Sequence, residues 1–173
     1  MREETERQAK QHELINNQPR TTAGKTRVLV IDDDRSTRFL LRQILTHADF
    51  EVLEAEDGEV GLRMAAEEKP ALVLVDGLLP KMHGFLVCKA IKELDCPPRV
   101  IVLTAVYRKI TYRWEVKTEY GADELLIKPI NGPELVSCIE RVLSVTSESD
   151  VPAAQLPAGD ESGAAAQTLH ART

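Results

Sequence analysis

Five short apolar runs alternate with segments of helical spacing through the middle of the chain, and this alternation restricts its possible folds more than any other feature. The runs lie at residues 28–31, 52–54, 72–75, 100–103 and 125–127. The first, third and fourth runs are almost entirely valine, isoleucine and leucine, which is typical of strands that are covered on both faces. Apolar residues spaced three and four apart indicate helices between runs and after the last one.

This order of elements predicts an α/β fold with a five-stranded, parallel, doubly wound sheet and helices on both faces. Parallel strands need long crossover connections, and a right-handed helical crossover packs back onto the sheet. In such sheets a site forms beyond the carboxyl ends of the strands, at the point where the strand order reverses. The predicted functional edge of the sheet is therefore the edge at which the five runs end.

The two ends of the chain differ in composition from this middle part. Residues 1–26 are polar and are interrupted by turn-forming residues, so we expect a tail that is disordered or loosely helical. Residues 145–173 are rich in alanine, proline and serine and contain no aromatic residue. Such a segment cannot bury enough apolar surface to offset its ordering entropy, so we expect a disordered C-terminal tail. The predicted folded domain covers residues 27–144.

Charge, hydropathy and cysteine usage argue against several classes of protein. The net charge of -6 and the pI near 5.3 argue against a nucleic-acid-binding surface as the main feature. No apolar run approaches the ~20 residues that a membrane helix needs, and the N-terminus has no secretory signal pattern. The three cysteines, Cys88, Cys96 and Cys138, form no CxxC pair, which favours reduced thiols in a cytoplasmic protein.

Polar side chains with complementary chemistry stand at four of the predicted strand ends. Asp32 and Asp33 follow the first strand, Asp76 ends the third, Thr104 ends the fourth, and Lys128 follows the fifth. A parallel sheet gathers such groups at one edge. Grouped carboxylates favour a hard divalent cation such as Mg²⁺, while an ammonium and a hydroxyl beside them would stabilise a phosphoryl group. One aspartate at a strand end can then act as nucleophile and become an aspartyl phosphate.

The stretches VLVIDDD, VDGLLPKMHG, VIVLTA and LLIKP together resemble a response-regulator receiver domain over roughly residues 27–143. The resemblance implies a flavodoxin-like sheet with strand order 2-1-3-4-5. It also implies that Asp76 is the phosphoacceptor and that Thr104 and Lys128 engage the phosphoryl group. The Mg²⁺ ligands that it implies are Asp32, Asp33, Asp76 and the main-chain carbonyl of Leu78.

The same resemblance implies a place in two-component signalling, as a phosphoacceptor protein that assists its own phosphotransfer and is not otherwise an enzyme. A sensor histidine kinase or a phosphotransfer protein would transfer a phosphoryl group from a phosphohistidine to Asp76. The added charge would draw Thr104 inward and repack the surface formed by the helix before the fifth strand (helix 4), strand 5 and the helix after it (helix 5). That surface would contact an unidentified downstream protein or form a homodimer. The Lys128–Pro129 bond resembles one that is cis in the family.

Three positions depart from the family's pattern. Leu125 stands where receivers often have Tyr or Phe, so the usual aromatic switch coupled to Thr104 is missing. Leu78 and Val106 are apolar at positions where polar groups can orient the hydrolytic water. Two apolar side chains there should exclude water, which predicts a slowly hydrolysing aspartyl phosphate.

The segment of residues 106–124 contains an unusual share of the chain's aromatic side chains, interleaved with arginine and lysine: Tyr107, Tyr112, Trp114 and Tyr120. These rings could simply pack beneath a helix. They could also form a partner-docking surface, since Trp, Tyr and Arg dominate binding hot spots. In the second case, we expect Trp114→Ala to weaken association while leaving phosphorylation intact.

A pseudo-receiver, which binds partners without being phosphorylated, is the alternative function, and the complete set of site residues weighs against it. The segment AGKT at residues 23–26 resembles the end of a phosphate-binding loop, but Pro19 stands where that loop needs glycine. No DNA-binding module or catalytic output domain fits within the tails. We therefore expect a stand-alone receiver, or a fragment that ends just after one, which acts through protein–protein contacts.

Overall fold

The computed structural model of the protein describes residues 21–22, 24–80, 82–105 and 116–145. The five predicted strands are β1 (Lys25–Ile31), β2 (Glu51–Ala55), β3 (Leu72–Asp76), β4 (Arg99–Thr104) and β5 (Glu124–Ile127). The helices that follow β1, β2, β3 and β5 are α1 (Arg35–His47), α2 (Gly58–Glu68), α3 (Gly84–Lys92) and α4 (Gly132–Ser144). Residues 116–119, between β4 and β5, are also helical. Within the described ranges, no helix has the length and apolar character that crossing a membrane requires.

The five strands form a parallel sheet in the order β2-β1-β3-β4-β5. β1 is hydrogen-bonded to β2 on one side and to β3 on the other, so the strand order reverses at β1. The switch point of the sheet therefore lies between the ends of β1 and β3, where ligands bind in folds of this kind. The predicted flavodoxin-like order 2-1-3-4-5 is confirmed.

Two hydrophobic cores lie on opposite faces of this sheet. On one face, Leu29 and Ile31 of β1 pack with buried residues of α2 and α3. On the other face, Val28 and Val30 of the same strand pack with buried residues of α1 and α4. All four side chains are fully buried, which explains the uninterrupted apolar run of a strand that is covered on both faces. The predicted doubly wound arrangement is confirmed.

β1 begins at Lys25, earlier than the apolar run alone predicts. A two-residue strand, Thr21–Thr22, pairs with its first residues in an antiparallel hairpin that turns at Gly24, whose φ is 81°. The polar residues at the start of β1 have ionic partners. Lys25 lies 2.6 Å from a carboxylate oxygen of Asp49, and Arg27 contacts the Glu68 carboxylate at 3.0 Å. These pairs allow the strand to extend beyond its apolar part.

The helix caps agree only in part with the sequence. Asp34 caps α1, since its carboxylate accepts a hydrogen bond from the main-chain N–H of Ser36 at 2.9 Å. Asn131 occupies the cap position of α4, but its side chain makes no capping hydrogen bond. The spacing of Asn131 and Glu134 is that of a capping box, but the hydrogen bond that the Asn131 side chain would accept in this motif does not form. Pro133 in the first turn lacks an N–H, so this helix start has one fewer donor to satisfy.

The three cysteines are free thiols, in agreement with the sequence. Cys88 and Cys138 are buried in the two cores. Burial raises the pKa of the Cys88 thiol to about 12. Since the thiolate is the reactive form of cysteine, Cys88 acts as a packed apolar residue rather than as a nucleophile.

Candidate functional site

The turn after β1 carries the first two predicted site residues. Asp32 directly follows the strand and is fully buried, and its main-chain N–H donates to the carbonyl of Ala55 at 3.2 Å. Its carboxylate accepts a hydrogen bond from the main-chain N–H of Asp34 at 2.9 Å. Asp33 is exposed. The sheet and the turn thus fix one carboxylate inside the fold, while the next carboxylate faces solvent.

Asp76 is the last residue of β3 and is 8% exposed. Its carboxylate accepts a hydrogen bond of 3.3 Å from the main-chain N–H of Leu78. The loop after it returns closely to the strand, since the N–H of Gly84 donates to the carbonyl of Gly77 at 3.2 Å. A Cβ atom at position 84 would lie 1.7 Å from the main-chain oxygen of Asp76, so this close approach requires glycine.

The carboxylates of Asp32, Asp33 and Asp76 converge at the edge of the sheet. Each offers an oxygen, and these oxygens all lie within 4.8 Å of one another. Three like charges at such distances repel, so they need a compensating positive charge. All-oxygen donor sets of this kind suit a hard divalent cation such as Mg²⁺, which takes one or two carboxylates together with waters and phosphoryl oxygens. These residues therefore fit a Mg²⁺ ion.

Lys128 supplies a positive charge from the end of β5. Its ammonium lies 2.9 Å from Asp32 Oδ2 and 3.1 Å from Asp76 Oδ2. Its main-chain N–H donates to the carbonyl of Thr104 at 2.8 Å, and Thr104 is the fully buried last residue of β4. The Lys128–Pro129 bond is cis, as the resemblance implied. This arrangement places an acid pair, a cation and a hydroxyl-bearing residue at adjacent strand ends.

Burial and ion pairing shift the pKa values of two of these groups. Burial raises the pKa of the Asp32 carboxyl, and the hydrogen bond and charge of Lys128 offset this only in part. Burial alone would lower the pKa of Lys128, but its hydrogen bond to Asp32 and the charges of Asp32 and Asp76 raise it. Lys128 therefore remains protonated beside two carboxylates, which is the state that can attract a phosphoryl oxygen.

The structure brings the predicted site residues to one edge of the sheet, but it also includes a contact that the sequence analysis did not single out. Arg38 of α1 donates a hydrogen bond of 2.7 Å to the main-chain carbonyl of Asp32. Its position one turn after Asp34 is the only signal of this contact in the sequence, and arginine is common on exposed helix faces.

The predicted aromatic segment falls largely outside the described residues, as does Val106. Tyr107, Tyr112 and Trp114 therefore remain unplaced, and their docking role stays a hypothesis. Tyr120 packs against the core, with its ring centroid 5.5 Å from that of Phe85. Lys117 contacts a carboxylate oxygen of Glu124 at 3.1 Å. These two residues of the segment fit the packing interpretation.

Two sequence relatives are bacterial regulators. The chain is 32% identical over 130 residues to the alkaline phosphatase synthesis transcriptional regulatory protein PhoP of Bacillus subtilis, a match that covers 75% of this chain and 53% of PhoP. It is 31% identical over 126 residues to the response regulator ArlR of Staphylococcus epidermidis, covering 73% of this chain and 56% of ArlR. The chain thus spans about half the length of these relatives.

These relatives correct one expectation. We expected a stand-alone receiver with no DNA-binding module, and we based that expectation on the composition of the two tails. PhoP is named as a transcriptional regulatory protein, and about half of its length lies beyond the match. The expectation that no DNA-binding module accompanies the receiver is therefore wrong, because a receiver of this type occurs as one part of a longer transcriptional regulator. The other expectation, a fragment that ends just after a receiver, is not affected.

Solved structures and a family model identify the class of domain. The response regulator receiver domain of Clostridium thermocellum has a TM-score of 0.63 at 28% identity, and the match covers 68% of this chain and 94% of that one. The CheY-like receiver domain of Methanospirillum hungatei also has a TM-score of 0.63 at 28% identity, with 69% and 94% covered. The family model described as "Response regulator receiver domain" matches residues 28–140. With its sheet order and its cluster of strand-end carboxylates, the chain belongs to the response regulator receiver domain family.

Proposed function

We propose that this receiver domain, at residues 27–144, is a switch that accepts a phosphoryl group on Asp76 from the phosphohistidine of a histidine kinase in a Mg²⁺-dependent reaction. Family membership supports the coarser statement that the domain belongs to phosphorylation-based signalling. The observation that carries the finer proposal is the position of the Lys128 ammonium, 2.9 Å from Asp32 and 3.1 Å from Asp76. A structural ion pair would need only one of these carboxylates.

In the proposed reaction a carboxylate oxygen of Asp76 attacks the phosphorus of the phosphohistidine. The new P–O bond forms as the P–N bond breaks, and the electron pair of the P–N bond goes to the histidine ring nitrogen. Lys128 attracts the phosphoryl oxygens as their charge redistributes, and Thr104 offers a hydroxyl from the neighbouring strand end. Catalysis by these groups consists of positioning and charge stabilisation rather than proton transfer.

Asp32, Asp33 and Asp76, together with the main-chain carbonyl of Leu78, would hold the Mg²⁺ ion. When bound, the ion supplies positive charge that offsets the three carboxylates and the incoming phosphoryl group. Asp32 must be ionised to take part. Burial raises the pKa of its carboxyl, so cation binding is expected to weaken as the solution is acidified.

After phosphorylation, Asp76 carries a larger negative charge beside Lys128 and close to Thr104. We infer that inward movement of Thr104 repacks the surface near β5 and that partners recognise this change. Leu125 of β5 is fully buried, so the movement proceeds without an aromatic rotamer at that position. Control of transcription, which the name of the PhoP relative describes, is one outcome that such a switch can have.

Incubation with acetyl phosphate and Mg²⁺, followed by intact mass measurement, tests this proposal directly. We expect one added phosphoryl group on the wild-type chain. Asp76→Asn should add none, because an amide is a poor nucleophile, and EDTA should abolish the addition to the wild type. If the folded wild type gains no phosphoryl group, or if Asp76→Asn gains as much, the pseudo-receiver alternative is favoured instead.

A further inference from the structure

Arg38, in the first turns of α1, contacts the main chain of the acidic turn after β1. Its Nη1 donates hydrogen bonds to the carbonyl oxygen of Asp32 at 2.7 Å and to that of Asp33 at 3.3 Å. The Arg38 side chain is only 13% exposed, although arginine usually reaches into solvent. One guanidinium thus contacts the peptide groups of two of the carboxylate residues that converge at the edge of the sheet.

A carboxylate on the neighbouring strand anchors this guanidinium. Glu54 of β2 lies 3.5 Å from Arg38 Nε through one carboxylate oxygen. Its other oxygen lies 3.2 Å from Nε of Arg42, which is one turn further along α1. Arg38 therefore connects three elements, namely α1, the edge of β2 and the acidic turn, whereas Arg42 contacts the same glutamate from a half-exposed position.

Several hydrogen bonds hold the acidic turn, and those from Arg38 are among them. The acidic turn leaves the pairing of β1 with β2 at the hydrogen bond from the Asp32 N–H to the Ala55 carbonyl. Asp33 is the next residue along the chain and is exposed. The direction of the Asp33 carboxylate is therefore set by the peptide groups of the turn rather than by the sheet. Because Arg38 holds the carbonyls of both residues, its loss would let these peptide groups rotate. Loss of its positive charge alone would favour a bound cation, so weaker cation binding would report the lost hydrogen bonds.

We propose that Arg38 is a positioning residue that orients Asp32 and Asp33 for binding a divalent cation. This inference rests on the proposed function, since it assigns a role toward the ion that the three carboxylates would hold. Groups that orient metal ligands typically contribute 10–100-fold to metal affinity. Arg38 touches neither the ion nor the phosphoryl group, so its effect should appear in cation affinity rather than in the identity of the phosphorylated residue.

The test measures Mn²⁺ binding by electron paramagnetic resonance, which detects the free ion. Mg²⁺ is then added to displace the bound Mn²⁺. Arg38→Met keeps an unbranched apolar stem but removes every donor, and we expect it to bind Mn²⁺ about tenfold more weakly than the wild type. Arg42→Met is the matched control, because it removes a guanidinium from the same helix and the same Glu54 partner. We expect its Mn²⁺ affinity to stay within about twofold of the wild type, since the Arg42 side chain is 47% exposed and solvent screens its charge.

Arg38→Lys extends the test. A lysine can donate to one carbonyl but cannot at the same time reach Glu54 with a second nitrogen, so its Mn²⁺ affinity should lie between those of the wild type and Arg38→Met. Thermal unfolding without metal should show that Arg38→Met and Arg42→Met are both folded at the temperature of the binding measurement. If Arg38→Met fails to fold, Arg38→Lys alone carries the comparison with the wild type.

The outcomes separate this inference from the proposed function. If the wild type binds Mn²⁺ and both Arg38 variants bind it as tightly as the wild type does, the positioning role is wrong. The proposed switch function is unaffected by that result. Equal weakening by Arg38→Met and Arg42→Met would also overturn the inference, because the effect would then arise from the Glu54 contact. If the wild type itself binds no divalent cation, the Mg²⁺-dependent function fails, and this inference fails with it.

Discussion

The ammonium of Lys128 lies between two carboxylates that leave different strands, 2.9 Å from Asp32 Oδ2 and 3.1 Å from Asp76 Oδ2. It therefore partly neutralises the same charges that a divalent cation would neutralise. Two positive charges in one small site repel each other, so Lys128 would disfavour the proposed ion even while it would favour the phosphoryl group. The two effects can be separated because they predict opposite responses to one substitution.

Lys128→Met is expected to bind Mg²⁺ several-fold more tightly and to be phosphorylated by acetyl phosphate about 100-fold more slowly. The tighter binding follows from removing the competing ammonium, and the slower reaction follows from losing a preorganised cation beside the phosphoryl oxygens. Calorimetry measures the first effect, and intact mass at timed intervals measures the second. Loss of both properties together would indicate a damaged site and would contradict this assignment of roles.

Leu78 is predicted to slow hydrolysis of the phosphorylated protein. Its side chain is 42% exposed and belongs to the second residue after Asp76, and its main-chain N–H already contacts the Asp76 carboxylate. Leu78→Asn introduces a group that can orient water, so we expect the aspartyl phosphate to decay several-fold faster. Loss of the phosphoryl mass over time gives the rate.

Val145→Asn is the matched control for Leu78→Asn, because Val145 is similarly exposed but caps the far end of α4. Its aspartyl phosphate should decay at the wild-type rate. A wild-type half-life of seconds at neutral pH would contradict the view that apolar side chains exclude the hydrolytic water.

Gly84→Ala should destabilise the fold by about 3 kcal/mol or more, because the new Cβ would lie 1.7 Å from the main-chain oxygen of Asp76 and the backbone must shift. Gly132→Ala is the control. A Cβ there meets its nearest neighbour, Ile44, at 3.5 Å, which is an ordinary contact, so we expect little change. Urea unfolding measures both variants, and equal stabilities would refute the close approach at Gly84.

Asp123→Asn should destabilise the protein by about 2–3 kcal/mol at pH 7, because the Asp123 carboxylate accepts hydrogen bonds from two cationic side chains and from one main-chain N–H. Its carboxylate accepts from Lys92 Nζ at 2.5 Å, from Arg99 Nη1 at 2.9 Å and from the Val100 N–H at 2.7 Å. Asp49→Asn is the control, because the Asp49 side chain is 80% exposed and its pair with Lys25 should contribute less than about 1 kcal/mol.

The stability that Asp123 contributes should depend on pH in a defined direction. Burial alone would raise the pKa of this carboxyl, but the hydrogen bonds from Lys92, Val100 and Arg99 together lower it below its ordinary value of 3.8. Its contribution is therefore complete above pH 3.8 and is lost as the pH falls through the lower, folded-state pKa. The difference between wild type and Asp123→Asn should be constant from pH 5 to 7 and should shrink below pH 3.8. A difference that grows on acidification would contradict this.

The strand pattern and the site could be predicted because each has a local cause in the sequence. Strands covered on both faces need uninterrupted apolar residues, as at 28–31 and 72–75, and these residues are fully buried. Asp32 and Asp76 come directly after such runs or end them, so parallel pairing alone delivers both carboxylates to the same edge. The helix cap at Asp34 likewise depends only on its immediate neighbours.

Contacts between distant elements had no such local signal. Aspartate is common in loops, so the sequence around Asp123 does not indicate its partners. These partners, Lys92 and Arg99, lie 31 and 24 residues earlier in the chain. Glu124 is 5% exposed at the start of β5, although a glutamate there would ordinarily be expected at the surface. Arg38 is a third example, since its role depends on the path of the main chain around Asp32 and not on its own spacing.

Asp76 ends a strand whose five residues are all buried and which is hydrogen-bonded to β1 and β4. Amide protons of Leu72–Asp76 should therefore exchange with deuterium only when the whole domain unfolds, whereas the exposed amide at Asp33 should exchange through local opening. The proposed nucleophile is thus part of a buried strand that is paired on both sides, and adaptation to the proposed ion would fall to the turn after β1. If Asp76 is the phosphoacceptor as proposed, substitutions in that turn could change cation affinity without displacing its carboxylate.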